Sequence, residues 1–241
     1  AGNEPHATYW GPPPRADKPN VYRDGERWDA YAAHLGNLIH ERCPRLLIVV
    51  EGIGHCLSAS GGADCPYAVT PQQTFVEDAA TWWGENLQGA STYPVVLNRP
   101  NKVVYSPHVY GPSVYMQPQF KRVAFPRNLP KLWDLNFGSI ARQKIAPVLV
   151  GEWGGKYHDA VDSKTSQADT RDRRWHEALV EYLTRPFIAG SFYWCLNPDS
   201  ADTGGIIWDW ESIDLDREKI SLLAYLPSTR VPTTEQRERG E

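Results

Sequence analysis

The sequence is short of features that mark several broad classes of protein. No apolar run approaches the ~20 residues of a membrane-spanning helix. Neither sign of charge dominates, because 25 basic and 29 acidic residues leave a net charge of −4. That balance argues against nucleic acid or an anionic membrane as a partner. Residues 1–4 do not resemble a signal peptide, but such a signal can be removed, so the compartment stays open.

Cysteine is scarce, and its spacing matches no zinc site. Cys56 and Cys65 flank a short Gly/Ser-rich segment that a disulfide could close. Cys43 and Cys195 stand alone. If the protein is secreted, a Cys56–Cys65 bridge is the preferred pairing; if it is cytosolic, we expect four thiols.

Aromatic residues, in contrast, are abundant, with ten tryptophans and twelve tyrosines. About half of them suit a core. Indoles in polar loops are flat apolar platforms with one hydrogen-bond donor, which suits the face of a sugar ring. Anchoring a loop is an equal alternative for any one of them, but as a group they favour binding: Trp10, Trp82, Trp83, Trp208 and Trp210.

Four continuous apolar runs predict buried parallel strands, at residues 46–50, 103–105, 148–150 and 191–194. Helical apolar stripes predict helices over 26–42 and 171–183, with weaker helices over 129–141 and 216–223. This alternation indicates α/β architecture. Long loops follow the strands, the longest over 52–101. We expect a catalytic region over 1–226 and a polar, disordered tail over 227–241.

Two glutamates stand where a glycosidase needs carboxyl groups. Glu152 ends the third apolar run, where an unpaired buried carboxylate would cost several kcal/mol, so a function is favoured over a structural ion pair. Glu4, in Asn3-Glu4-Pro5, is weaker evidence by itself. A retaining glycosidase needs one carboxyl group as acid and base and another as nucleophile. Glu51 also ends a strand and ranks lower, as a site-wall or structural residue.

Three further side chains follow strand ends. His108 could orient a carboxyl group, although a lone histidine is more often a hydrogen-bonded core residue. The hydroxyl of Tyr110 could donate to a nucleophilic carboxylate. Trp194 could form the floor of a sugar site or pack at the end of the sheet.

In these motifs the chain resembles glycoside hydrolase family 5, the cellulase family of retaining (β/α)8 barrels. The matching segments are Asn3-Glu4-Pro5, residues 108–110 (HVY), Gly151-Glu152 and Trp194. Residues 82–90 (WWGENLQGA), 93–98 (YPVVLN) and 197–206 (NPDSADTGGI) resemble bacterial secreted endo-β-1,4-glucanases of that family. The segments follow the family order from residue 3 to about 225.

The resemblance implies cleavage of β-1,4-glucosidic bonds, with Glu4 as acid and base and Glu152 as nucleophile. Asn3 would bind the 2-hydroxyl, Tyr110 would hold Glu152, His108 would line the site and Trp194 would stack beneath the sugar. The candidates for neighbouring subsites are Trp82, Trp83, Asn197, Asp199 and Asp202. The resemblance implies no cofactor and no metal. It does imply a secreted protein. A decayed, non-catalytic sugar-binding protein and a β-mannan or xyloglucan substrate remain alternatives.

The chain also departs from the family pattern, which has an arginine and a histidine upstream of Asn3-Glu4-Pro5. Only strands five to eight and the end of strand four match. An open half sheet would expose an apolar face and two edges. We therefore expect a fragment, or a barrel completed by another chain or a second copy, and a weak or inactive monomer.

Overall fold

The computed structural model describes residues 2–6, 8, 10–11, 27–54, 80–158, 160–161, 168–212 and 214–228. Seven strands occur in this part of the chain: β1 (Ile48–Val50), β2 (Val103–Tyr105), β3 (His108–Tyr110), β4 (Val148–Gly154), β5 (Ala160–Val161), β6 (Ala168–Asp169) and β7 (Ile188–Tyr193). The α-helices are α1 (Trp28–Arg42), α2 (Leu129–Trp133), α3 (Ser139–Arg142), α4 (Arg171–Leu183) and α5 (Arg217–Leu223). A π-helical turn (Asp134–Gly138) joins α2 to α3, and Gln88–Ser91 and Pro118–Lys121 form short 3₁₀ helices.

Five strands form one parallel sheet that follows the order of the chain. β1 pairs with β2, both β2 and β3 pair with β4, and β7 pairs with the other side of β4. β2 and β3 act as one strand interrupted at Pro107, which has no N–H to donate to a ladder. The carbonyl of Pro107 still accepts from Gly151 N at 2.9 Å. β5 and β6 form a separate antiparallel pair.

Helices cover one face of the sheet and enclose the core. Trp175 and Leu179 of α4 are almost fully buried, as are Phe137 and Ile140 near α3. α1 packs closely on β1 at Gly36, where an added Cβ would lie 3.2 Å from Ile48 of β1 and 2.8 Å from Leu97. A larger residue at that crossing would have to displace the ends of these two side chains.

The predicted fold class is confirmed: the sheet is the partial barrel of an α/β, (β/α)8-type protein. α4 has the predicted bounds, and α1 begins at Trp28. The helix predicted over 129–141 is interrupted by the π-helical turn. β1 starts two residues later than predicted, and β4 continues through Glu152, which thus lies within the strand.

The prediction of fully buried strands is wrong at both edges of the sheet. Val49 on β1 and Phe192 on β7 are 44% and 61% exposed, and Leu47 before β1 is 57% exposed. These side chains have no covering layer within the described residues, as an open half sheet predicts. Among the described helices, none combines the length and apolar character needed to span a bilayer. The Cys56–Cys65 bridge and almost all of the tail at 227–241 fall outside the described residues.

Replacing Trp175 by alanine should lower the free energy of unfolding by about 3–5 kcal/mol, because it leaves a large cavity beneath the sheet. Denaturant titration measures the change. Tyr225→Ala is the matched control, since Tyr225 is 76% exposed and should change stability little. Equal effects of the two substitutions would contradict the described packing.

Candidate active site

Glu4 lies beside the carboxyl end of β1, held by main-chain contacts. Its N–H donates to Glu51 Oε2 at 2.7 Å, and the carbonyl of Pro5 accepts from Gly54 N at 2.7 Å. Glu4 has φ +49°, a left-handed conformation uncommon for residues other than glycine. Trp28 of α1 donates to the Glu51 carbonyl at 2.9 Å, so the helix also secures this strand end.

Glu152 lies on β4 opposite His108, its register partner on β3. The hydroxyl of Tyr110 donates to Glu152 Oε2 in a short hydrogen bond. Burial raises the pKa of Tyr110, and the hydrogen bond and charge of Glu152 raise it further, so this hydroxyl stays a donor. Glu152 therefore has a fixed oxygen partner and one oxygen left for chemistry.

His108 is buried between three carboxylates. Its Nδ1 lies 3.1 Å from Glu4 Oε1 and 3.4 Å from Glu152 Oε2, and its Nε2 lies 3.7 Å from Glu51 Oε1. Burial acts to lower the pKa of His108, but the hydrogen bond to Glu4 and the charges of Glu51 and Glu152 outweigh it and raise the pKa. The imidazolium form thus offsets the charge that the carboxylates bring together.

Two glycines allow this close approach. An added Cβ at Gly151 would lie 2.3 Å from Ser106 Oγ and 3.0 Å from His108 Nε2. Gly84 has φ +79°, and a Cβ there would lie 2.7 Å from Glu51 Oε2. Any side chain at either position would displace the groups around His108.

The two candidate catalytic carboxylates face one cleft. Oxygens of Glu4 and Glu152 lie within 4.8 Å of each other. The cleft has a volume of about 510 Å³, and its other lining residues are Asn3, Thr81, Trp82, Trp83, Tyr110, Val114, Tyr115, Gln117, Trp194 and Asp202. Glu4, His108 and Glu152 also offer ligand atoms within 4.8 Å of one another, a spacing that a metal ion could use. A metal-free site therefore stays a prediction.

Three of the predicted site residues lie outside the cleft lining: His108, which is buried among the carboxylates, Asn197 and Asp199. Asn197 accepts from Asp199 N at 3.0 Å, and Asp199 accepts from Trp210 Nε1 at 2.6 Å. Asp202 does line the cleft, where it also accepts from Ser200 Oγ at 2.7 Å. The binding roles of Asn197 and Asp199 stay predictions, and the geometry gives both a local role in their loop.

The loop tryptophans divide into two kinds. Trp10 is only 2% exposed and donates to the Tyr93 carbonyl, so of its two alternatives it fits loop anchoring and not a sugar platform. Trp83 is 53% exposed and stacks on His6, with the rings 4.2 Å apart. Trp208 and Trp210 are also exposed but do not line the cleft.

Sequence analysis missed four residues of the cleft lining: Thr81, Val114, Tyr115 and Gln117. Tyr115 is 59% exposed in the loop after β3, so the rule that selected loop tryptophans could have found it if extended to tyrosine. Gln117 gave no such signal, because it is a buried polar side chain in an irregular segment.

The family model for cellulase, glycosyl hydrolase family 5, matches residues 1–200. The chain belongs to glycosyl hydrolase family 5. An endoglucanase of Paenibacillus polymyxa is 38% identical over 238 residues, which cover 98% of this chain and 51% of that protein. The major extracellular endoglucanase of Xanthomonas campestris pv. campestris is 37% identical over 235 residues, covering 96% of this chain and 40% of that protein.

Solved structures of family 5 enzymes agree with the fold. The catalytic domain of the Xanthomonas campestris enzyme superposes with a TM-score of 0.68 at 33% identity, over 92% of this chain and 54% of that one. A cellotetraose complex of the endocellulase from Pyrococcus horikoshii superposes with a TM-score of 0.70 at 33% identity, over 92% of this chain and 55% of that one. The chain thus spans about half the length of these family 5 relatives.

His108→Asn should reduce stability in a pH-dependent way. Because the folded-state pKa of His108 is raised, its protonated form stabilises the fold fully below the ordinary value of 6.5, and this contribution is lost as pH rises through the raised value. The variant should therefore lose more stability at about pH 6 than at about pH 9, as measured by thermal unfolding. His34→Asn, on the exposed side of α1, is the control. An equal loss at both pH values would contradict the charge balance inferred for His108.

Proposed function

We propose that this chain carries the carboxylate pair of a retaining endo-β-1,4-glucanase that acts on cellulose or related β-glucans. The observation that carries the proposal is the separation of at most 4.8 Å between oxygens of Glu4 and Glu152. Retaining glycosidases hold their carboxyl groups ~5–5.5 Å apart, whereas inverting enzymes leave ~6.5–9.5 Å for a water molecule. The bound of 4.8 Å applies to one oxygen of each residue, and it supports the shorter spacing, which is that of retention.

The proposed reaction has two displacements. An oxygen of Glu152 attacks the anomeric carbon, and the bond to the leaving oxygen breaks as Glu4 gives that oxygen a proton. Water then attacks the anomeric carbon and loses a proton to Glu4, and the bond to Glu152 breaks. Glu152 suits the nucleophile role because Tyr110 orients it, and Glu4 suits the proton-transfer role because its carboxyl group lines the same cleft.

Substrate binding is assigned to the remaining lining residues. Asn3 would bind the 2-hydroxyl at the cleavage position, and Trp194 would stack beneath that sugar. Trp82, Trp83 and Asp202 would line neighbouring subsites. Named relatives that are endoglucanases, and a cellotetraose complex among the solved structures, support a glucan substrate. The extracellular relative of Xanthomonas campestris supports secretion.

Glu152→Gln should lower hydrolysis of cello-oligosaccharides by roughly three orders of magnitude or more, because it removes the nucleophile and leaves the shape of the cleft. Binding of cellotetraose, measured by calorimetry, should persist. Glu181→Gln on the exposed face of α4 is the matched control and should retain full activity.

Proton NMR of the first product distinguishes the alternatives. A β-anomer supports retention, and an α-anomer would overturn it. Sugar binding without any turnover in the unsubstituted protein would favour the non-catalytic alternative, and faster turnover of β-mannan or xyloglucan would reassign the substrate. Hydrolysis should persist in EDTA, and its loss would contradict a metal-free site.

We further propose that strands from a second copy or another polypeptide segment cover the exposed sheet edges in the active form. The supporting observation is the exposure of Val49, Phe192 and Trp194, the last of which is 41% exposed. Apolar side chains of this size are normally removed from water, and an unpaired strand edge invites pairing.

Phe192→Glu should therefore yield a smaller species with reduced activity, because a carboxylate on this edge cannot be buried without a partner. Light scattering together with the cello-oligosaccharide assay measures both effects. Tyr225→Glu, beyond α5, introduces the same charge at an exposed site and should change neither. A well-folded monomer with full turnover would refute the proposal.

A further inference from the structure

Glu85 is a buried carboxylate outside the proposed reaction. It is 4% exposed, and within the described part of the chain no basic side chain pairs with it. Its two partners are neutral donors: Trp82 N–H donates to Oε2 at 2.8 Å, and Asn136 Nδ2 donates to Oε1 at 2.9 Å. A buried carboxylate without a cation is costly, so its presence calls for a specific reason.

The network behind Glu85 spans three segments. Asn136 lies in the π-helical turn, and its Oδ1 accepts from Gln88 Nε2 at 3.1 Å. Its main-chain carbonyl accepts from Leu87 N at 2.9 Å. Turns of this kind occur frequently at functional sites. Here the turn carries the side chain that contacts Glu85.

The segment that Glu85 anchors also forms the site wall. Trp82 lines the cleft, and its ring meets Tyr110 edge to face with centroids 5.6 Å apart. Tyr110 in turn donates to Glu152. On the other side, Gly84 O accepts from Gly52 N at 2.9 Å, next to Glu51. Three contacts therefore connect Glu85 to the proposed nucleophile, through Trp82 and Tyr110.

A cavity of about 50 Å³ lies behind this wall. Its lining includes Trp82, Glu85, Tyr110 and Asn136. This space leaves room for the Trp82 ring to shift if its main chain is released. The hydrogen bond from Trp82 to Glu85 therefore holds the main chain of Trp82 where packing alone does not fix it.

We propose that Glu85 is a positioning residue: with Asn136 it holds Trp82 against Tyr110, and the geometry around Glu152 follows the protonation state of Glu85. The inference rests on the proposed glycosidase function. The ionised carboxylate accepts both hydrogen bonds. A protonated carboxyl group keeps one oxygen that can accept from Trp82, but its O–H needs an acceptor of its own. Asn136 can accept from that O–H only if its amide turns and gives up the hydrogen bond from Gln88.

Both the ionised and the protonated form of Glu85 are accessible near neutral pH. Burial raises the pKa of Glu85 to about 7, although the hydrogen bonds from Trp82 and Asn136 oppose the rise. The titratable group that shares its cavity is Tyr110, and Glu51 and His108 lie beyond Gly84. A substitution at Glu85 leaves those three groups in place, which allows their titration to be separated from its own.

The test compares the unsubstituted protein with Glu85→Gln and Glu85→Ala. In the unsubstituted protein, the ¹⁵N–¹H signal of the Trp82 amide should titrate with a midpoint of about 7, and in Glu85→Gln this titration should vanish. Glu85→Ala should lower kcat/KM by about 10–100-fold through kcat, since a small displacement of reacting groups has effects of that order. Glu85→Gln resembles the protonated carboxyl group, because its amide has one acceptor and one donor group. It should therefore show at every pH the lower kcat that the unsubstituted protein shows below about pH 7, and should lose the limb of the pH profile near 7.

Several outcomes would overturn the inference. One is a Trp82 amide that does not titrate, and another is an unchanged kcat and pH profile in both variants of an active enzyme. Glu181→Gln again serves as the control. If the unsubstituted protein has no turnover, the proposed function fails, whereas the Trp82 titration still decides the role of Glu85. If Glu85→Ala does not fold, Glu85→Gln supplies both measurements.

Discussion

The buried imidazole of His108 is the contact on which the site depends. Glu4, Glu51 and Glu152 each place an oxygen within 4 Å of one of its nitrogens. Three carboxylates this close would repel one another, and an imidazolium between them reduces the repulsion. The same ring contacts both Glu4 and Glu152 of β4, two residues that are 148 positions apart in the sequence. The contacts of His108 therefore both balance the charge of the carboxylates and hold the parts of the site together.

The loop over residues 80–87 lies between this charged cluster and the core. On its outer side, Trp82 lines the cleft and Gly84 borders Glu51. On its inner side, Glu85 reaches Asn136 in the π-helical turn. One hydrogen bond thus joins the turn that interrupts the predicted helix to the wall of the cleft. It gives a polar partner to two side chains that are both buried.

Apolar side chains on the two outer strands of the sheet are exposed to water, and the proposed active site lies at the end of this sheet. Helices cover one face, and Val49 and Phe192 remain in contact with water. The family 5 relatives are about twice as long as the portion matched by this chain. Trp194, the proposed floor of the cleft, is also among the exposed side chains.

The sequence by itself determined the elements and the chemistry. Continuous apolar runs located the strands, helical stripes located α1 and α4, and the glutamates at strand ends indicated a carboxylate pair, because these signals are local in the chain. Only the tertiary structure decided which side chains meet. It separated Trp10, which closes the core, from Trp82, which lines the cleft. It also placed Asn197 and Asp199 outside the cleft and brought Asn136 to Glu85. Those outcomes depend on contacts between distant segments, and no local pattern records the distance between two side chains that packing brings together.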